Sequence, residues 1–266
     1  MYSGPVIDFH THAFPDRLAP HAVGALETAG KTKAFLNGTV GDLIGSMDKA
    51  GIEKSVVCSI ATRPSQFESI LKWSVSIRSE RLVPLPSIHP ADPNALLRLH
   101  AIASEGFAGV KMHSYYQDFV LDEPRMLPLY EAMGSYGLFL VVHTGFDIAF
   151  PRVRRADPAR VVKLAKMFPE LLLITTHLGA MDDWDEVERL LVGKPIYMEL
   201  SFAFPSLPCE RVREILLRHP KDFALFGSDS PWLDQQQSVD QLRSLRLPEA
   251  LESNIFFHNA ARLLLR

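Results

Sequence analysis

Eight short apolar runs, at positions 5–10, 55–60, 82–88, 107–112, 138–143, 171–176, 195–200 and 223–228, recur along the 266-residue chain about 31 residues apart on average. A period near 30 residues is the length of one strand–helix unit in a parallel sheet. Runs such as Leu138–Val142 and Leu171–Ile174 are apolar at every position, so both faces of such a strand must be covered. Helical stretches with start signals lie between the runs. Asp92-Pro93 precedes 94–103, Asp157-Pro158 precedes 159–167, and the acidic segment 182–188 opens a helix through Leu191. Eight such units in roughly 250 residues predict a (β/α)8 TIM barrel, an α/β fold, as a single domain over residues 1–266. The stretch Ala13 to Asp42 breaks the rhythm and reads as an insertion after strand one, at the end where such barrels carry their active sites.

Composition narrows the function classes. Hydrophobic residues are 47% and charged residues 22%, the balance of a globular protein. Lys plus Arg number 28 against 31 Asp plus Glu, a net charge of −3, which lacks the basic excess of a nucleic-acid binder. The apolar runs are far shorter than the roughly 20 residues that span a bilayer, and residues 1–12 do not read as a signal peptide. The only cysteines, Cys58 and Cys209, form no CxxC pair, so neither a disulfide scaffold nor a thiolate metal site is written. These features predict a cytoplasmic protein acting on a small molecule, without a nucleic-acid or membrane partner; a homo-oligomer is left open.

Six of the ten histidines fall at or just past the ends of the predicted strands: His10 and His12, His89, His113, His143 and His177. Asp229 ends strand eight in Gly-Ser-Asp-Ser-Pro. In a barrel these ends converge on one mouth. The period of two along a strand predicts that Asp8, His10 and His12 point to the same side. Imidazoles with one carboxylate suit zinc first, with manganese, iron or cobalt as other choices. Asp8 is expected outside the ligands, accepting the second ring N–H of His10 or His12.

His10-Thr-His12 after an apolar strand, Val-Val-His143-Thr-Gly, Thr-Thr-His177-Leu-Gly and Gly-Ser-Asp229-Ser-Pro-Trp, in that order, resemble the amidohydrolase superfamily. The similarity is to its amidohydrolase-related branch, which includes aminocarboxymuconate semialdehyde decarboxylase-like proteins, and it extends over nearly the whole chain. It implies a metal-dependent TIM barrel that hydrolyses amide, ester or lactone bonds or decarboxylates unsaturated acids. Carried over, it makes His10, His12, His143 and Asp229 metal ligands, with Asp229 also the catalytic base. His177 is a catalytic group in members with one ion and a ligand in members with two. Lys111, in Gly-Val-Lys-Met-His, stands where some binuclear members carry a carboxylated lysine bridging two ions; the alternative is an ammonium that pairs with an acid or holds a substrate carboxylate. His113, two residues on, orients substrate or a ligand, or simply packs.

The main functional expectation is a hydrolase that uses a metal-activated water. The alternative is a decarboxylase of a small unsaturated carboxylic acid. A metal-dependent nuclease and a non-catalytic binding barrel are weighed and set aside: the first would carry a Glu near strand four, and the second would not gather these ligands. Arg63, Tyr115 and Trp232 are the expected substrate contacts, with Phe146, Tyr116 and Phe202 as further wall residues and Arg152, Arg154 and Arg155 as a basic cluster either attracting an acid or solvated.

Overall fold

Each of the eight apolar runs forms a parallel strand: β1 (Ile7–Thr11), β2 (Lys54–Cys58), β3 (Leu82–Leu85), β4 (Gly109–His113), β5 (Phe139–His143), β6 (Leu173–Thr175), β7 (Tyr197–Glu199) and β8 (Ala224–Leu225). The structure is a computed structural model that describes residues 2–265. Helices alternate with the strands: α1 (Ala19–Gly30), α2 (Val40–Ala50), α3 (Phe67–Ile77), α4 (Ala95–Ser104), α5 (Leu127–Ser135), α6 (Pro158–Met167), α7 (Trp184–Leu190), α8 (Ala203–Ser206), α9 (Cys209–Arg218), α10 (Gln235–Ser244), α11 (Glu249–Ser253) and α12 (Asn259–Leu264). Local chemistry sets the helix starts. The Asp157 side chain accepts the Arg160 N–H ahead of a proline that needs no partner, and Thr39 caps α2 through the Asp42 N–H.

Hydrogen-bonded ladders join β1, β2 and β3 and, separately, β4 through β8. Two seams complete the ring. Phe9 N–H donates to Phe226 O at 2.8 Å and Asp229 N–H to His10 O at 2.7 Å, linking β8 to β1. Between β3 and β4 the link is Lys111 N–H to Pro86 O at 3.0 Å. That seam is thin because Pro84 and Pro86 have no N–H to offer.

Residues on one side of the strands, among them Phe9, Val56, Phe139, Val141 and Ile174, fill the barrel interior, while Val57, Val110, Leu140, Val142 and Met198 pack outward in the layer shared with the helices. This two-sided burial is why the strands read as continuous apolar runs. β1 departs from strict alternation. Asp8 pairs with Ser55 and Thr11 with Val57, three steps on one strand against two on the other, so a bulge lies between them. Asp8 consequently does not share a side with His10 and His12. It faces α10 and accepts Gln235 Nε2–H at 2.8 Å and Ser228 N–H at 3.0 Å.

The stretch after β1 carries α1 across the strand ends, held by Phe14 N–H to Gly38 O and Phe35 N–H to Pro231 O. No helix among the described residues is long and apolar enough to cross a membrane.

Candidate active site

A cavity of about 610 Å³ opens at the C-terminal ends of the strands. Its lining includes His10, His12, Lys111, His143, His177 and Asp229. Leu18, Ala22 and Leu26 at and along α1 wall it from one side, and Trp73, Phe146, Phe202 and Trp232 supply aromatic surface.

The hydrogen-bond partners of His10, His12 and His143 fix where each ring hydrogen sits, and those of His177 allow two placements. His12 Nδ1 lies 2.7 Å from Cys58 O, an acceptor only, so Nδ1 carries the hydrogen and Nε2 a lone pair. His10 Nδ1 lies 2.9 Å from Glu199 Oε1, with the same result. His143 Nε2 lies 3.2 Å from Phe146 O, which turns the Nδ1 lone pair inward. His177 Nδ1 lies 2.8 Å from Ser201 Oγ, whose hydroxyl is 2.7 Å from Glu199 Oε1, leaving Nε2 as a lone pair when Ser201 donates to the carboxylate.

With Ser201 donating to Glu199, the inner atoms confront one another without hydrogens between them. His10 Nε2 and His12 Nε2 are 3.2 Å apart, His12 Nε2 and Asp229 Oδ1 3.1 Å, and His143 Nδ1 and His177 Nε2 3.0 Å. Asp229 Oδ1 is buried and has no hydrogen-bond partner. His10, His177 and Asp229 each offer an atom within 4.8 Å of the others. Lone pairs held this close repel unless positive charge lies among them. The donor set, imidazole nitrogens with one carboxylate oxygen and each outer ring nitrogen anchored, is that of a divalent metal site. Lys111 Nζ, 3.1 Å from His10 Nε2, is the one donor aimed at the group, and among the described residues no carboxylate lies within 4.0 Å of it. Lys111 is 1% exposed.

A second group, His113, His143 and Asp147, also brings possible ligand atoms within 4.8 Å of one another. Its hydrogens are accounted for differently. The Tyr116 N–H points at His113 Nδ1 at 3.5 Å, placing the ring hydrogen on Nε2, 3.3 Å from Asp147 Oδ2, and His143 Nε2–H is taken by Phe146 O. This group is a hydrogen-bonded wall, with the His113 ring stacked on His143 at 4.1 Å.

Burial keeps these imidazoles neutral, as ligands must be. It pushes His10 well below its ordinary value, helped by the Lys111 ammonium; His113 is lowered by burial and then Lys111, and His143 by burial and then His113. His177 is lowered by burial, against the opposing pull of Glu199 and Asp229. Asp8, cut off from water, is raised to about 6 even though Gln235 and Ser228 donate to it.

The sequence profile of the Amidohydrolase family matches residues 7–266. The chain belongs to the amidohydrolase family. Solved structures share its fold across nearly the full length of both chains. An uncharacterized TIM-barrel protein from Bordetella bronchiseptica is 17% identical, covers 98% of each chain and superposes with a TM-score of 0.79. 5-Carboxyvanillate decarboxylase from Sphingomonas paucimobilis is 15% identical, with 98% of this chain and 99% of that one covered and a TM-score of 0.71. A dihydroxybenzoic acid decarboxylase from Polaromonas sp. JS666, with bound manganese and 2-nitroresorcinol, is 14% identical over 98% and 97% of the chains, TM-score 0.70. No curated protein matches the sequence.

Most of the residues expected at the mouth of this amidohydrolase meet there: His10, His12, Lys111, His113, His143, His177 and Asp229, with Arg63 and Trp232 on the cavity wall. Three expectations are corrected. Asp8 does not accept from either imidazole of the HxH pair, because the β1 bulge turns it toward α10; Glu199 takes that place on His10. Tyr115 does not line the cavity. Its hydroxyl donates to Val153 O at 2.6 Å, and its neighbour Tyr116 faces the cavity instead. His89 lies off the cavity, its Nδ1 accepting the Ala91 N–H. Arg152, Arg154 and Arg155 are paired with Asp182, with Asp183 and Glu186, and with Asp118, so the basic cluster is neutralised locally.

Sequence reasoning missed Glu199, Ser201 and Asp147. Glu199 is fully buried and accepts four hydrogen bonds, from His10 Nδ1, His177 N, Ser201 N and Ser201 Oγ. Gly227, two residues past β8, makes room for it, since a Cβ there would run into Glu199 Oε2. A carboxylate closing the apolar run Ile-Tyr-Met-Glu is the signal that was available, the same one that pointed to Asp229.

Proposed function

We propose that this amidohydrolase is a metal-dependent carboxy-lyase that removes carbon dioxide from a small unsaturated carboxylic acid. The observation that carries this reading is Lys111: a buried ammonium with no carboxylate within 4.0 Å among the described residues, beside a metal-type donor set and beneath apolar and aromatic walls. Such a floor holds a carboxylate, and such walls hold the unsaturated remainder and keep water out. Loss of carbon dioxide from a desolvated carboxylate disperses charge that the walls solvate poorly. The likeness to decarboxylases acting on carboxyvanillate and dihydroxybenzoate supports the same choice.

His10, His177 and Asp229, whose ligand atoms lie within 4.8 Å of one another, would hold one ion, manganese or zinc, with His12 Nε2 and His143 Nδ1 beside them. When bound, the ion supplies a Lewis acid that fixes and polarises the substrate's oxygen atoms. Lys111 Nζ, on its flexible stem, donates to the departing carboxylate. When the carbon–carbon bond breaks, its electron pair stays on the substrate carbon and must take up a proton. Asp229, through the carboxylate oxygen not engaged by the ion, is placed to pass that proton on to the carbon. Arg63 lies on the cavity wall with no carboxylate within 4.0 Å among the described residues, leaving its guanidinium for a second polar group of the substrate.

The test is to load the protein with manganese and measure carbon dioxide release from hydroxybenzoates and carboxymuconate-like acids, alongside hydrolysis of lactones and amides. Release of carbon dioxide, lost in Lys111→Met, is the expected result. Hydrolysis of a lactone or amide without decarboxylation of any acid would overturn the reading in favour of the hydrolytic one.

A further inference from the structure

Ser201 Oγ stands between two groups that compete for its hydrogen: Glu199 Oε1 at 2.7 Å and His177 Nδ1 at 2.8 Å. A hydroxyl has one hydrogen and can donate to only one of them at a time. If it donates to Glu199, its lone pair accepts His177 Nδ1–H, and the His177 Nε2 lone pair faces the His143 Nδ1 lone pair 3.0 Å away. Only a cation reconciles that arrangement. If it donates to His177 Nδ1, the ring hydrogen must sit on Nε2, where it makes a hydrogen bond to His143 Nδ1 across the same 3.0 Å. The ring stays neutral in both states and carries one hydrogen, so no net proton is gained or lost. Glu199 tolerates either state because His10 Nδ1, His177 N and Ser201 N still donate to it.

We propose that Ser201 is a positioning residue whose hydroxyl reverses direction on metal binding, switching His177 between an Nε2–H tautomer in the metal-free protein and an Nδ1–H tautomer in the metal-loaded one. The switch gives the metal-free site an internally satisfied state and presents the Nε2 lone pair when the ion arrives. It rests on the metal site described above and is independent of which reaction the enzyme catalyses.

The experiment uses the full chain with ¹⁵N-labelled histidine, stripped by a chelator and then titrated with zinc, which is diamagnetic. Two-dimensional ¹⁵N–¹H spectra report which nitrogen of His177 carries hydrogen. The expected result is Nε2–H without zinc and Nδ1–H with it. In Ser201→Ala, where His177 Nδ1–H has no acceptor, zinc affinity should fall about 10–100-fold, and Ser201→Thr should restore it to within about threefold. A residue that served packing alone would lower the melting temperature of the metal-free protein and leave zinc affinity unchanged. The same tautomer of His177 in both states, or wild-type zinc affinity in Ser201→Ala, would overturn the proposal; if the alanine variant does not fold, the wild-type spectra alone decide. Failure of the wild type to bind zinc or manganese at all would remove the metal site itself and is recognisable as that separate result.

Discussion

Replacing Glu199 tests the architecture behind the metal donors. The carboxylate accepts four hydrogen bonds in a fully buried position, joining β1 through His10, the segment after β6 through the His177 N–H, and the end of β7 through Ser201. In Glu199→Gln the amide oxygen can keep the bonds at Oε1, but the amide NH2 then meets the Ser201 N–H, and one buried donor loses its acceptor. That costs about 1–3 kcal/mol of stability. The weakened anchor on His10 should reduce metal affinity about 10–100-fold, or about 1.4–2.7 kcal/mol. Glu199→Ala strands His10 Nδ1, His177 N and Ser201 N, the Ser201 hydroxyl turning to His177, at about 3–9 kcal/mol, which is comparable with the whole stability of a typical domain, about 5–15 kcal/mol. Urea unfolding of the metal-free proteins gives the first quantity, and competition against a chromogenic chelator gives the second. A Gln variant that binds metal like the wild type, together with an Ala variant of wild-type stability, would refute the reasoning.

Other consequences are more direct. Asp229→Asn should abolish turnover while retaining part of the bound metal, measured by activity and elemental analysis on one preparation; a wild-type rate would remove Asp229 from proton transfer. Adding manganese at about 100 times its Kd should stabilise the folded protein by about 2.7 kcal/mol, raising Tm by about 5–10 °C, and no shift by calorimetry would contradict a site present only in the folded state. His219 is buried, its Nε2 bonded to Ile196 O at 3.0 Å, and burial lowers it to about 4 from an ordinary 6.5. Folding therefore favours its neutral form: the stability is fully present above pH 6.5 and is lost, by about 3 kcal/mol, as pH falls through 4. Urea midpoints of the metal-free protein at pH 7.5 and 4 should show a shallower decline in His219→Gln, and equal declines would contradict the assignment.

The barrel and the polar cluster at its mouth were legible in the sequence for one physical reason: strands covered on both faces are continuous apolar runs, so a His or Asp interrupting their far ends stands out. His10, His12, His143, His177 and Asp229 were found this way, and Glu199, at the end of β7, would have been found by the same rule extended to glutamate. Asp8 misled because strand periodicity presumes regular pairing, and a bulge between Asp8 and Thr11 leaves no mark in residue types. Of Tyr115 and Tyr116, only the loop conformation decides which faces the cavity. Ser201 and Asp147 lie in loops where no period constrains side-chain direction. The balance between hydrolysis and decarboxylation lay beyond the motif altogether, since both chemistries use the same donors; that no carboxylate among the described residues lies within 4.0 Å of Lys111 is a matter of three-dimensional packing.

The central claim is that four anchored imidazoles and Asp229 form one metal site. Crystals grown with manganese and measured by anomalous diffraction at the manganese edge test it most directly. The expected result is one strong peak within bonding distance of His10 Nε2, His177 Nε2 and Asp229, beside His12 and His143, and none between His113 and Asp147. A peak at the His113 and Asp147 pair instead, or no peak at either place, would contradict it.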